Sequence, residues 1–340
     1  MPISRLQPGI ISAFFAAITA CVFTTPTLAN DSIGRVGVGG ISFEKSEDIR
    51  MASEVLEIST KKIRVEYHFI NDADHDIKTT ILFPMPSYGW NPGESPSEEN
   101  HVPLRPFSTS VDGKPIPTRL VRRALKDGLD VTEQLSKMGL NDSQMFDTFS
   151  HCPDDGTERK FSFCGRTPAQ TKSLEQFGNW KAQETAYWEY TFPARQEVIV
   201  THEYKPFVGD HYTIPYQSSG HGYSFPIDDS KQNTEACTKE GTIQAVEKHV
   251  RSLAEKTKKD VWVTIKEVEY VLGTGRNWKG PISQFTLRIV KKQPDTHVSV
   301  CFPGKPVKIS NTILEFTQMD FTPQDKLIVY FYEVGSSYSR

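Results

Sequence analysis

The run Ile63-Arg64-Val65-Glu66-Tyr67-His68-Phe69 alternates strictly between apolar and polar side chains. A period of two puts Ile63, Val65, Tyr67 and Phe69 on one face and Arg64, Glu66 and His68 on the other, the pattern of a half-buried β-strand. Strand-length runs recur along the chain: Val36–Phe43, Val55–Ile58, Ile77–Phe83, Phe107–Val111, Ile116–Val121, Tyr187–Phe192 and Glu197–Tyr204. After residue 260 come Val261–Leu272, Phe285–Val290, Val298–Phe302, Ile313–Phe316 and Leu327–Tyr332. Turn residues punctuate them; the chain holds 22 Gly and 22 Pro. Many short strands bounded by such turns predict a mainly β fold of β-sandwich-like modules of antiparallel strands. Asn71–Asp76 reads as the polar loop of a β-hairpin, and Asp112-Gly113 as a tight hairpin turn.

Two short helices are expected. One opens at Asp130, with Glu133 three residues on and Leu129, Leu135 and Met138 facing inward. The other spans Gly241–Lys256, where Ile243, Val246, Val250 and Leu253 mark one helical face. Asn141–Glu175 reads as irregular, and Ser87–Pro106 and Phe207–Asp229 as long loops. A boundary near Ser230 divides a β-rich domain over residues 30–230 from a helix plus a β-sandwich-like domain over residues 231–340.

Residues 1–29 have the layout of a secretory signal peptide: Arg5, an apolar Gly9–Phe23, then Thr27-Leu28-Ala29 with small residues at the cleavage positions. The apolar run of 15 residues is shorter than the roughly 20 of a spanning helix. Cleavage after Ala29 predicts an exported chain, periplasmic or secreted. The alternative is a lipoprotein cut before Cys21, within Ile18-Thr19-Ala20-Cys21; Val22-Phe23 prolong the apolar run and favour Ala29. No later segment is long and apolar enough to span a bilayer as a helix. The formal net charge is −3 with both signs interspersed, so no basic stripe points to nucleic acid. The expected partner is an envelope ligand or protein of unspecified identity.

Cys152, Cys164, Cys237 and Cys301 remain after cleavage. An even number in an exported chain reads as two disulfides, with three connectivities open. The expected pairing is Cys152–Cys164, across the turn-rich Pro153-Asp154-Asp155-Gly156, and Cys237–Cys301. The rival, a zinc site of His151, Cys152 and Cys164, lacks the CxxC spacing of a zinc knuckle.

A set of segments carries a family likeness: Asn30-Asp31-Ser32, Gly39-Gly40-Ile41-Ser42-Phe43, Val65-Glu66-Tyr67 and Phe83-Pro84-Met85-Pro86. Trp188-Glu189-Tyr190-Thr191-Phe192-Pro193, His202-Glu203-Tyr204-Lys205-Pro206 and Thr274-Gly275-Arg276-Asn277-Trp278-Lys279-Gly280-Pro281-Ile282 extend it. Together they resemble the bacterial exported family catalogued as domain of unknown function 4424, over most of Asn30–Tyr332. The resemblance implies export and a β-rich fold, and supplies no activity and no catalytic residue.

Gly37-Val38-Gly39-Gly40 leads into a strand, so it is a bend rather than a dinucleotide loop. His202, His211 and His221 are the candidate metal ligands, against the plainer reading of hydrogen-bonded histidines, since no ligand spacing rule is met. Arg276 and Trp278, in a turn shaped by Gly275 and Gly280, and Trp90, in the loop Ser87–Pro106, are candidate ligand contacts. Against this, Trp278 reads as a plug closing one end of the sandwich. Ser218-Ser219-Gly220-His221-Gly222 lacks a Gly-x-Ser-x-Gly elbow. No cofactor is expected. The reading is a non-catalytic envelope binding or structural module; the alternative is an envelope hydrolase, with or without a metal, using the histidine-rich loop.

Overall fold

The computed structural model describes residues 31–37, 40–88, 107–146, 167–212 and 234–336. Most of both long loops, Cys152, Cys164 and residues 1–30 lie outside them. The chain forms β1 (Ser32–Gly37), β2 (Gly40–Glu44), β3 (Ile49–Ile58), β4 (Ile63–Asn71), β5 (Ile77–Pro84), β6 (Phe107–Val111), β7 (Lys114–Ile116), β8 (Arg119–Lys126) and β9 (Leu129–Asp130). Three helices follow, α1 (Thr132–Lys137), α2 (Asp142–Phe146) and α3 (Pro168–Phe177), then β10 (Lys181–Phe192), β11 (Glu197–Tyr204) and β12 (Val208–Tyr212). The rest is α4 (Glu240–Thr257), β13 (Trp262–Val271), β14 (Ile282–Val290), β15 (His297–Val300), β16 (Val307–Lys308), β17 (Ile313–Phe321) and β18 (Lys326–Gly335).

These strands make three sheets, mainly β as expected. A six-stranded sheet runs β2-β1-β5-β10-β8-β9, an eight-stranded sheet β16-β17-β14-β3-β4-β11-β6-β7, and a four-stranded sheet β12-β13-β18-β15. The pairings are antiparallel except β3 with β14. That pairing, with β17 beyond it, carries strands from after residue 230 into the sheet of β3, β4 and β11. Position 230 therefore does not separate one set of sheets from another.

One apolar core is shared by all three sheets. Phe83 and Phe192 enter it from the first, Phe69 and Leu287 from the second, Tyr270 and Phe331 from the third. On β18, Leu327, Val329 and Phe331 face this core, while Ile328, Tyr330 and Tyr332 face α4 through Val246 and Val250. The four-stranded sheet is thus covered on both faces, which is why Leu327–Tyr332 reads as an unbroken apolar run rather than an alternating one. A satellite cluster of Leu135, Phe146 and Leu174 packs α1, α2 and α3 on Ala124 and Ala182 of β8 and β10.

The Asp112-Gly113 hairpin is present, with both residues at positive φ (48° and 74°). The Asn71–Asp76 hairpin is not: β4 pairs with β3 and β11, whereas β5 pairs with β1 and β10. Asn71 explains the difference. Its buried side-chain amide donates to the carbonyls of His75 and Phe192 and its oxygen accepts from Ala73 N–H, so the chain arches from one sheet to the other. The two expected helices are joined by α2 and α3 inside the stretch read as irregular. α3 begins with a reciprocal capping box between Thr167 and Gln170, followed by Pro168. Leu129 faces outward at 67% exposure, since it lies on the two-residue edge strand β9 and not on α1; Leu135 is buried as expected.

Candidate functional site

Inward positions of β11 are Val198, Val200, His202 and Tyr204, an apolar stripe interrupted by one imidazole. His202 stands opposite Thr109 of β6, and the Thr109 hydroxyl lies 3.1 Å from its Nδ1. On the other side of the ring, Nε2 lies 3.1 Å from both carboxylate oxygens of Asp31, the residue that precedes β1. With Asp31 ionised, Nε2–H donates to the carboxylate and Nδ1 accepts from the Thr109 hydroxyl. His202 and Asp31 expose no surface and Thr109 only 4%. Trp188, Phe83, Phe107 and Tyr67 surround the imidazole, with ring centroids 4.7–5.8 Å away.

The backbone of Asp31 makes a second tie. Its carbonyl accepts from Trp278 Nε1 at 2.7 Å, and the indole lies against Phe69 with centroids 4.4 Å apart. The 3-10 turn Gly273–Asn277 sets up this contact. Asn277 donates its amide to Ser32 Oγ and accepts from Ser46 N–H through its carbonyl. Asp31 therefore joins the six-stranded sheet to β11 through its side chain and to the turn after β13 through its carbonyl. Nearby, the Tyr67 and Tyr270 hydroxyls meet at 3.1 Å across two sheets, and Glu54 is fully buried on β3.

Burial dominates the electrostatics here. It raises the Asp31 carboxyl above its ordinary 3.8, opposed by the attraction and hydrogen bond of His202. It also pushes Tyr67 and Tyr270 well above 10, reinforced by Glu54 and Asp31, so both phenols stay neutral. At the surface the balance reverses. Hydrogen bonds from Lys279 and Arg50 lower Asp72.

Of the residues singled out from the sequence, the structure brings His202 and Trp278 together through Asp31. Trp278 is 3% exposed, the plug reading rather than an open ligand contact. Arg276 donates Nη1 to the Pro323 carbonyl at 2.8 Å and pairs with Asp325, fastening the link between β17 and β18. His211 lies on β12, in the four-stranded sheet and opposite Ile265 of β13. His221 and Trp90 fall outside the described residues. Both ring nitrogens of His202 are engaged. Among the described residues, no group of three or more His, Cys, Asp and Glu stands at metal-binding spacing. Cys237 and Cys301 form a disulfide; the expected Cys152–Cys164 pair lies outside the described residues. Asp31, Thr109 and Glu54 were not singled out. The available signal was a polar residue on an inward face: His202 among Val198, Val200 and Tyr204, and Glu54 beside Leu56 and Ile58.

A hydroxyl, an imidazole and a carboxylate in line is the order of a nucleophile, its base and the base's orienting group. Such a line acts only if substrate reaches the hydroxyl. Here the hydroxyl belongs to a residue enclosed between sheets, and the line of contacts links β6, β11 and the residue before β1.

No curated protein matches the chain. Among solved structures, a crystal structure described as "a putative nutrient binding protein" from Legionella pneumophila is similar over 88% of this chain and 72% of that one. At 14% identity and a TM-score of 0.41 it is too distant to bear on function. The model of the family described as domain of unknown function, DUF4424, matches residues 29–330. That match takes in every strand of the three sheets from β1 to β17 and the first half of β18, with the Asp31 junction among them, and the chain belongs to the DUF4424 family.

Proposed function

We propose that the protein is an exported, non-catalytic binding or structural module of the bacterial envelope. The observation that carries this reading is the sealing of the Thr109–His202–Asp31 line: the arrangement best suited to chemistry has no open face. The surface then acts by association rather than by turnover. Export is supported by the Cys237–Cys301 disulfide, a bond favoured in oxidising compartments. It is supported too by the family match, which starts at residue 29, where the expected leader ends. No helix among the described residues is long and apolar enough to cross a membrane.

The hydrolase alternative keeps one favourable observation, the triad-like order itself, and a single experiment separates the two. The full chain is expressed in a bacterial host, the mature protein is recovered from the envelope fraction, and its N-terminus is sequenced. It is then assayed on ester, peptide and glycoside substrates beside Thr109→Val. The expected outcome is a mature start at Asn30 and turnover equal in both proteins and at background. Turnover lost in a folded Thr109→Val would establish the hydrolase, and a diacylglyceryl Cys21 would contradict a free mature chain.

A further inference from the structure

On the far side of the four-stranded sheet, away from the buried junction, two histidines meet. His249 lies on α4 and His297 opens β15, and His249 Nδ1 is 3.3 Å from His297 Nε2. The rings are inclined at 59° with centroids 5.5 Å apart. The other nitrogen of His249, Nε2, lies 3.7 Å from the Asp295 carboxylate. This third group sits on the turn before β15.

We propose that His249 Nδ1 and His297 Nε2 form a binding site for a borderline-soft divalent transition ion of the zinc class, with Asp295 orienting His249. The distance carries the proposal. Two nitrogens 3.3 Å apart, each at the Zn–N bond length of roughly 2.05 Å, subtend about 107° at the ion, the tetrahedral angle. Imidazole is a preferred ligand for such ions, and a carboxylate on the remote nitrogen is the usual device that fixes a ligating histidine. The Asp295 carboxylate, 3.7 Å from His249 Nε2, favours a proton on that nitrogen, which leaves the Nδ1 lone pair free. In the metal-free pair, His297 Nε2–H donates to that lone pair. Loading moves the His297 proton to Nδ1 and puts the ion in its place, with no net change of charge on either ring.

The neighbouring lysines have partners of their own. Lys291 is itself directed to the Pro294 carbonyl, and Lys292 to Glu333. His249 is 22% exposed at its side chain, so solvent completes the coordination. Two protein nitrogens rather than three make an exchangeable site, and its occupancy would pin α4 to β15.

The test is zinc titration of the full, metal-stripped protein by calorimetry, with thermal melts alongside. The proposal predicts one zinc per chain and a melting temperature that rises with zinc, by linkage of binding to folding. His249→Ala and His297→Gln, each shown to be folded by circular dichroism, should each weaken binding at least tenfold and abolish the thermal shift. Asp295→Asn should weaken it about tenfold. The proposal is overturned if the wild-type protein binds no zinc at millimolar concentration. It is equally overturned if zinc binding survives in the folded His249→Ala and His297→Gln, which would place the ion on other histidines.

Discussion

Trp278 shows how a residue type can point to two roles that only packing separates. A large aromatic on a glycine-shaped turn suits a ligand platform and a core plug alike. The indole N–H donates to the Asp31 carbonyl and its ring meets Phe69 and Phe192, which leaves no face for a ligand. Trp278→Ala should cost about 3–5 kcal/mol, through the lost ring contacts and the cavity left behind. Trp278→Phe keeps most of the apolar contact but removes the indole hydrogen bond to the Asp31 carbonyl, and should cost about 1–3 kcal/mol. Urea unfolding of the three proteins checks the order; equal stabilities would mean that the turn carries Trp278 without needing it. The same ambiguity applies to His202. Its type suggested a ligand, while its place in the stripe Val198, Val200, Tyr204 marks it as a core residue with its partners supplied from two other strands.

Strand existence was legible because alternation is local. β4, β6, β11 and β18 fall close to where period and composition put them. Partnership was not legible, because β4 and β5 are separated by a short polar loop that suits a hairpin or an arch equally. The choice rests on the Asn71 side chain reaching Phe192, a residue 121 positions away. Helix α3 was readable in principle, from Thr167-Pro168 and Gln170, within a stretch whose turn residues masked it. The Asp31 junction depends on contacts 171 and 247 residues apart in the chain, which no local pattern encodes. At the element scale, β1 positions Asp31 and is wedged between β2 and β5. Its Gly34 has no room for a side chain: a Cβ there would lie 2.2 Å from the Ser42 carbonyl oxygen and 2.4 Å from Leu82. Gly34→Ala should therefore cost about 1–3 kcal/mol by overpacking. It should lower amide protection in β1 and β2 while β4 and β11 keep theirs. Hydrogen exchange reads this directly, and unchanged protection in β1 would show that the sheet yields at no cost.

For the molecule as a whole, three sheets pack around one core, and two ties between residues distant in the chain act by different means. The Cys237–Cys301 bond closes a separation of 64 residues that holds α4 and β13. It contributes about 4 kcal/mol by restricting the unfolded chain. The Asp31–His202 pair acts in the folded state, joining the six-stranded to the eight-stranded sheet at a point that water does not reach. A buried pair adds little over apolar packing, yet removing one member leaves the other in the core without that compensation, which is strongly destabilising. The measurement that tests this account most directly is a double-mutant cycle in urea on Asp31→Ala and His202→Ala. Each single variant should lose about 3–5 kcal/mol, and the double variant should lose clearly less than the two together. Single losses below about 1 kcal/mol, or losses that simply add, would contradict it.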